Sequence, residues 1–528
     1  MSGPVRLTGT PASAGYAEGP VFCLDSNSGE YVPKGAAAAE AQALRAAIEA
    51  ASQHLAVLAG ASTGEAADML EFQLAMLADE SLSESAFAAI DAGMPADRAW
   101  SEALAGEIAG YEAAEDEYFR ARAADLKDIR QQVLDALTSA GDRPAPPGAI
   151  LFGEDIAPTR FLATDWSAGG GIALSRGSSA SHVAMLARSR GVPMVVGLGP
   201  VRTDFDGIAL LDAEHGRILL GEAGEEAELF RAAADRFATK RRAAEGQLRR
   251  PAATANGVPV RVLVNVADPG DVERIDVANC DGVGLMRTEF LFGRELPDEE
   301  TQYRAYRTVL EWAGGKPVTI RTIDAGGDKP VPGFTVEEGN PFLGLRGIRL
   351  SLARPEVFRV QIRALLRAAV HGNLKVMFPM ISVPDEYARA TALFAEEAAS
   401  LADAGVAHAM PPLGIMVEVP SVAIAPELFS DAAFLSIGSN DLTQYVMAAA
   451  RDNMAVAALN SVTNPAVLRL IAAVATFGLL HNISVSLCGD AGGDPAAIPH
   501  LLKAGLRDLS VAPAQLALAK AAIAGVTV

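Results

Sequence analysis

The spacing of hydrophobic residues changes along the chain and divides it into segments of different predicted structure. Residues 1–25 alternate small, apolar and turn-forming residues, which predicts short strands and tight turns. Residues 26–144 are rich in alanine and repeat apolar residues such as Leu70, Leu74 and Leu77 every three or four positions, which predicts long helices. Strand-like segments return over 145–220. We therefore expect an α/β domain, formed by 1–25 and 145–220, that carries an inserted helical bundle.

The pattern changes again after residue 220. Residues 221–250 are charged and helical in pattern, and Pro251 with Asn256-Gly257 marks a domain boundary. From 251 to 528, eight short apolar segments alternate with helical patterns, which is the number of strands in a (β/α)8 barrel. These predicted strands are 260–265, 282–285, 318–322, 375–378, 414–417, 434–438, 484–488 and 508–511. The chain is therefore predicted to be a multidomain α/β protein with a C-terminal TIM barrel.

Polar side chains lie at or just past the carboxyl ends of five predicted strands, where barrel enzymes place their active sites. They are Arg287, Arg321, Glu418, Asn440, Asp441 and Cys488. Arginine forks bind carboxylate and phosphate oxygens, and Glu418 with Asp441 would hold one Mg²⁺ that polarises an enolate oxygen. Cys488 could act as a general acid, although many cysteines are simply small buried apolar residues. Each residue alone could be an ordinary surface group, but their joint position favours one active site.

One histidine, His182, lies in a setting suited to chemistry. Small and hydroxylic residues precede it and a helical pattern follows, so it should occupy the first turn of a helix. Free backbone N–H groups there favour an anion such as phosphate, and a neutral imidazole is a competent nucleophile. On this segment alone, an N-capped helix with a merely exposed histidine is an equally good interpretation.

Composition narrows the kinds of partner. The formal net charge of −21 argues against nucleic-acid binding and suits basic proteins. In the predicted bundle, Glu71, Asp79 and Glu80 lie among the apolar residues. Packing within the bundle explains most of that pattern, and an apolar strip with an acidic rim that docks a small basic protein is the alternative. The three cysteines are far apart, and we find neither a signal peptide nor an apolar run of membrane-spanning length, so we expect a cytoplasmic protein.

Longer motifs resemble one known family. The segment GSSASHVAMLARSRGVPMVVG (177–197) is similar to the phosphohistidine motif GGxTSHxAIxAR with PxVVG, which is shared by Enzyme I of the phosphoenolpyruvate-dependent sugar phosphotransferase system, pyruvate phosphate dikinase and phosphoenolpyruvate synthase. Further motifs make the chain similar to Enzyme I over nearly its full length. They are ARAADLKDIRQQVL (121–134), GLMRTEFLF (284–292), TIRTIDAGGDKP (319–330), NPFLGLRGIRL (340–350), GIMVEVPS (414–421), SIGSNDLTQY (436–445) and SVSLCGDAGGDP (484–495).

This resemblance implies a complete phosphoryl-transfer pathway. Phosphoenolpyruvate would be bound by Arg287, Arg321, Asn440, Asp441 and Arg451, with Mg²⁺ on Glu418 and Asp441. His182 would accept the phosphoryl group through Nε2, and Cys488 would protonate the enolate carbon to give pyruvate. The group would then pass to an HPr-type phosphocarrier docked on the helical insert, and the barrel would form a homodimer.

The chain departs from the family pattern at several positions. Ser178 replaces a glycine, Ala180 replaces a threonine, and Asp490 stands where the family usually has glutamate. The sequence also ends soon after the eighth predicted strand, so we expect barrel closure or the dimer contact to differ. Two alternatives are a dikinase-like or synthase-like enzyme lacking its nucleotide domain, and a non-catalytic metabolite-sensing relative.

Overall fold

The computed structural model describes most of the chain and divides it into two compact units, Met1–Thr239 and Lys240–Val528. The described residues are 5–24, 31–61, 65–112, 117–138, 144–177, 181–199, 205, 207–221, 224–292, 296–327, 331, 333–336, 338–450, 456 and 459–528.

The first unit contains an eight-stranded sheet. Its strands are β1 (Val5–Thr8), β2 (Thr10–Ser13), β3 (Tyr16–Cys23), β4 (Ile150–Gly153), β5 (Gly171–Leu174), β6 (Met194–Val196), β7 (Ile208–Asp212) and β8 (Arg217–Leu220), in the order β1-β8-β7-β3-β4-β5-β6-β2. Strands β3 to β6 are parallel to one another, and the other pairings are antiparallel. Every residue of β4 and β5 is buried, as expected for central strands covered on both faces.

The predicted helical insert lies between β3 and β4. It consists of α1 (Ala37–Ala61), α2 (Glu65–Ala78), α3 (Glu80–Asp91), α4 (Ala96–Glu112) and α5 (Glu117–Thr138). The core includes Leu44, Leu70 and the fully buried Trp100, whose indole N–H donates to the carbonyl of Arg130 at 3.2 Å. Most of the repeating apolar residues therefore pack within the bundle.

Three more helices follow in this part of the chain: α6 (Pro158–Ala163), α7 (His182–Arg190) and α8 (Gly224–Glu245). Helix α8 corresponds to the predicted charged linker. It packs on the sheet through its first four turns, because the rings of Phe230 and Phe237 each lie 5.5 Å from that of Tyr16. Arg231 also pairs with Glu18 at 2.6 Å.

The second unit is the predicted barrel, and all eight predicted strands are present. A short strand β9 (Ala252–Ala253) precedes β10 (Pro259–Val266), β11 (Val283–Met286), β12 (Pro317–Arg321), β13 (Asn373–Phe378), β14 (Leu413–Val417), β15 (Phe434–Ile437), β16 (Ser484–Leu487) and β17 (Asp508–Val511). Neighbouring barrel strands are parallel, and β10 pairs with both β11 and β17, so the ring is closed.

Helices cover the outside of the barrel. They are α9 (Glu299–Ala313), α10 (Ile348–Ala353), α11 (Pro355–Ala368), α12 (Pro384–Asp403), α13 (Pro420–Ile424), α14 (Ser439–Met447), α15 (Pro465–His481), α16 (Ile498–Lys503) and α17 (Leu516–Ala524). The largest hydrophobic core lies between these helices and the strands. Leu285, Met377 and Phe434 belong to a second, smaller hydrophobic cluster that is separate from this core. Within the described parts of the chain, no helix is long and apolar enough to cross a membrane.

Candidate active site

The structure places the predicted site residues at the carboxyl ends of the barrel strands. Arg287 follows β11, Arg321 ends β12, Glu418 follows β14, Asn440 and Asp441 lie in the first turn of α14 after β15, and Cys488 follows β16. Because the strands are parallel, these ends share one rim of the barrel. Arg451 lies outside the described residues.

Arg321 is buried at this rim between two carboxylates. Its Nη2 lies 3.0 Å from Oε2 of Glu289, and its Nη1 lies 3.1 Å from Oδ2 of Asp324. Burial by itself would lower the pKa of Arg321, but the negative charges of Glu289, Asp324 and Glu418 outweigh burial and raise it. Its Nε is buried and has no hydrogen-bond partner among the described residues, so one donor is left unsatisfied.

A second buried arginine, Arg346, joins the site and was not predicted from the sequence. Its Nε and Nη2 each donate to Asp324 at 3.0 Å, and its Nη1 and Nη2 donate to Asp441 at 3.2 Å. The side chain is fully buried. Arg346 therefore holds two carboxylates that are far apart in the sequence, and one of them is the predicted metal ligand Asp441.

Glu418 is the group best suited to bind a cation. It is 1% exposed, and its Oε1 accepts the backbone N–H of Met380 at 2.6 Å. Its Oε2 is buried and has no partner among the described residues. Burial, followed by the charges of Asp441 and Asp324, raises the pKa of Glu418 to about 8.

A hard divalent cation fits this arrangement, because it would bind the unpaired oxygen and offset the repulsion between Glu418 and Asp441. Within the described ranges, no cluster of three or more histidine, cysteine, aspartate or glutamate side chains is arranged to hold a metal. A cation bound by these two carboxylates would therefore need further oxygen ligands from substrate and water.

Cys488 is a buried thiol beside these charged groups. Its Sγ donates to the carbonyl of Ile437 at 3.6 Å. Burial raises the pKa of Cys488 to about 11, although Ser436, Arg321 and Arg287 lower it in part. The thiol is therefore protonated at neutral pH, as a proton donor must be. Its packing in the cluster with Leu285 is equally consistent with the apolar role considered above.

Asn440 is oriented by the residue that departs from the family pattern. Its side-chain N–H donates to Oδ2 of Asp490 at 2.9 Å, and the backbone N–H of Asp490 donates back to Oδ1 of Asn440 at 3.1 Å. Gly489, which precedes Asp490, packs closely against Ser439, since a Cβ on Gly489 would lie 1.9 Å from Oγ of Ser439. The shorter carboxylate of Asp490 thus reaches Asn440 directly.

His182 is the first residue of α7. The Oγ of Ser181 accepts the backbone N–H of Ala184 at 3.2 Å and caps the start of the helix, and Gly191, with φ 67°, caps its end after Arg190. The imidazole itself, like Ser178 and Ala180, lies outside what the structure describes. The predicted position in the first helical turn is therefore observed for the backbone of His182.

Comparison with known proteins places the whole chain in one family. Residues 8–122 match the N-terminal domain of phosphoenolpyruvate-utilising enzymes, 145–216 match their mobile domain, and 241–528 match their phosphoenolpyruvate-binding domain.

Three curated relatives are each called phosphoenolpyruvate-protein phosphotransferase. The Priestia megaterium protein is 35% identical over 98% of this chain and 93% of its own length. The Geobacillus stearothermophilus protein is 39% identical over 78% of this chain and 73% of its own, and the Bacillus subtilis protein is 36% identical over 84% and 80%. The chain belongs to the phosphoenolpyruvate-protein phosphotransferase family, the Enzyme I that its motifs resemble.

Proposed function

We propose that this chain transfers the phosphoryl group of phosphoenolpyruvate to Nε2 of its own His182 and then to a histidine of an HPr-type phosphocarrier. The observation that carries the proposal is the group of buried charges at the barrel rim, where Arg321 and Arg346 lie beside Glu418 and Asp441. Burying charged side chains costs free energy, and a group of several buried charges is typical of a site that binds a charged ligand. The dikinase-like and non-catalytic alternatives are not favoured by these relatives.

In the first step, phosphoenolpyruvate binds at the rim. Arg321 offers its unpaired Nε, and the exposed Arg287 lies on the neighbouring strand end. Arginine forks match the phosphate and carboxylate oxygens of this substrate. Asn440, Asp441 and Arg451 complete the proposed binding set, and their assignment rests on the family motifs.

Mg²⁺ would be held by Glu418 and Asp441, and when bound it would stabilise negative charge on the enolate oxygen. Arg346 fixes the Asp441 carboxylate through paired hydrogen bonds, so this oxygen ligand is oriented before substrate arrives. The backbone N–H of Met380 similarly holds one oxygen of Glu418 and leaves the other free.

The chemical step exchanges one phosphorus bond for another. The imidazole Nε2 of His182 attacks phosphorus, the bond between phosphorus and the enol oxygen breaks, and its electron pair stays on the enolate. Cys488 then gives its proton to the enolate carbon, and pyruvate leaves. One histidine must meet both the substrate and the carrier, so the proposal requires the domain bearing His182 to move between them.

The helical insert offers a surface for the carrier. A pocket there is lined by Met76, Leu82 and Tyr111 together with the carboxylates of Asp79 and Glu107. Partly buried apolar side chains beside exposed carboxylates are complementary to a small basic protein. We propose this surface as the docking site of the HPr-type carrier.

The barrel also carries an apolar surface suited to a second copy of the chain. Leu479 and Leu480 at the end of α15 are 84% and 75% exposed, and Ile424 and Leu428 are exposed on α13 and the 3₁₀ helix after it. Both of these elements pack against α15. Exposed apolar patches of this kind mark interaction sites, so we propose a homodimer through this face.

Labelling with ³²P-phosphoenolpyruvate and Mg²⁺ tests the proposed function. The unchanged protein should become labelled and release pyruvate when a carrier is added, whereas His182→Ala should not be labelled. Label on His182→Ala would contradict the proposal, and so would labelling from ATP.

We also propose that the reaction takes place in the cytoplasm, in keeping with the free state of Cys23, Cys280 and Cys488.

The docking surface is tested separately. Glu107→Lys should slow transfer to the carrier at least ten-fold without slowing labelling of His182, because it reverses a charge only at the proposed docking surface of the insert. Glu102→Lys, also exposed on α4, is the matched control. Equal transfer by both variants would place the carrier elsewhere.

A further inference from the structure

The Glu418 carboxylate is positioned by a residue in an unusual backbone conformation. Met380 lies two residues after β13 and has a φ of 58°, in the left-handed region that non-glycine residues seldom adopt. Its backbone N–H donates to Oε1 of Glu418 at 2.6 Å. With Oε1 bound in this way, Oε2 is the oxygen left without a described partner.

The left-handed conformation is enclosed by its surroundings. The Met380 side chain is 2% exposed, and its Sδ lies 3.9 Å from the hydroxyl of Tyr445. A Cβ on Gly347 would lie 3.0 Å from both Cβ and Cγ of Met380, so the two residues are closely packed. Gly347 directly follows Arg346, the residue that binds Asp441. The turn that holds Glu418 thus packs against the turn that holds the orienting arginine.

We infer that Met380 is a positioning residue, whose left-handed backbone fixes the orientation of the Glu418 carboxylate, so that one oxygen accepts its N–H and the other faces the cation. If φ at 380 became negative, the peptide N–H would turn and Oε1 would lose its buried donor. The Glu418 carboxylate could then take other orientations, and the fraction of protein with an oxygen correctly placed for the cation would fall. The apparent affinity for a divalent cation falls in proportion to that fraction. This inference rests on the proposed cation site at Glu418 and Asp441.

An isomeric pair of variants separates backbone conformation from packing. Leucine and isoleucine are isomers, so Met380→Leu and Met380→Ile place apolar side chains with the same number of atoms at this buried position. Leucine tolerates the left-handed region about as well as methionine, whereas a β-branched residue is a severe outlier there. Strain at such positions is maintained only when the surroundings enforce it.

Mn²⁺ binding, followed by electron paramagnetic resonance, measures the cation site without turnover. The variants are made in the His182→Ala background, with and without phosphoenolpyruvate. We expect Met380→Leu to bind Mn²⁺ within about three-fold of the parent and Met380→Ile to bind at least ten-fold more weakly. Thermal unfolding is recorded for each variant, because a purely structural role would lower the melting temperature and leave affinity unchanged. Equal affinity in the two variants would overturn the inference.

A second pair covers the case in which Met380→Ile does not fold. Met380→Gly and Met380→Ala both lose the long side chain, but only glycine adopts positive φ without strain. Glycine should therefore bind Mn²⁺ more tightly than alanine, and the reverse order or equality would overturn the inference. If the parent protein itself bound no Mn²⁺, the proposed cation site would be wrong, and the role of Met380 would be rejected with it.

Discussion

Replacing Arg346 with methionine should destabilise the barrel more than any single exposed substitution. Methionine has a similar length but provides none of the hydrogen bonds to Asp324 and Asp441. Both carboxylates would remain buried with less compensation, since Arg346 pairs with each of them. Removing one partner of a buried ion pair costs about 3–5 kcal/mol. For a unit of this size, such a loss corresponds to a fall in melting temperature of roughly 5–8 °C.

Differential scanning calorimetry of the full chain measures this effect. Arg307→Met is the control, because Arg307 forms an exposed pair with Glu311 on the same unit and its loss should barely change the melting temperature. Adding Asp324→Asn to Arg346→Met should restore part of the stability, since it removes one of the uncompensated charges. A fall of less than about 2 °C for Arg346→Met would refute the argument that this arginine neutralises the site.

Three further predictions address the proton donor, the insert and the dimer. Cys488→Ala should slow pyruvate release about 100-fold in a coupled lactate dehydrogenase assay, whereas Cys280→Ala should not. Because the pKa of Cys488 is raised to about 11, its contribution to the rate should persist well above neutral pH. Equal rates for the two variants would show that Cys488 does not supply the proton. Burial raises the pKa of Asp128, so the folded state binds more protons and the first unit should lose stability as pH rises from the unfolded pKa of about 3.9 through the raised value. Asp128→Asn should abolish that dependence in thermal unfolding, and an unchanged slope would contradict it. Leu479→Glu should halve the mass found by sedimentation, whereas Val57→Glu, exposed in the helical insert, should not; a monomeric parent protein would remove the basis for this prediction.

The barrel strands could be predicted from the sequence because each is a short buried apolar run followed by polar residues. Residues 508–511, for example, were assigned their observed bounds, and the strand predicted to end at Thr322 ends one residue earlier, at Arg321. The position of Glu418 just after β14 followed from the same rule. Local pattern is sufficient here, since barrel geometry brings successive strand ends to one rim.

Contacts between distant loops could not be predicted in this way. Arg346 lies in the long connection between β12 and α10, and it binds Asp441, 95 residues away. No spacing rule links the two positions, although Arg346 lies in a motif that resembles the family. The left-handed backbone at Met380 carries no sequence signal either, because methionine is not typical of that conformation.

Closure of the barrel has a consequence for how the protein is made. Strand β10 must pair with β17, which is separated from it by nearly the whole second unit. A ribosome delivers β10 long before β17, so the early strands wait with an unpaired edge that other chains could join. The first unit has no such requirement to wait for β17. Nascent chains should therefore acquire the His182-bearing fold before the ring can close, and chaperone protection of the open edge matters most until β17 has been synthesised.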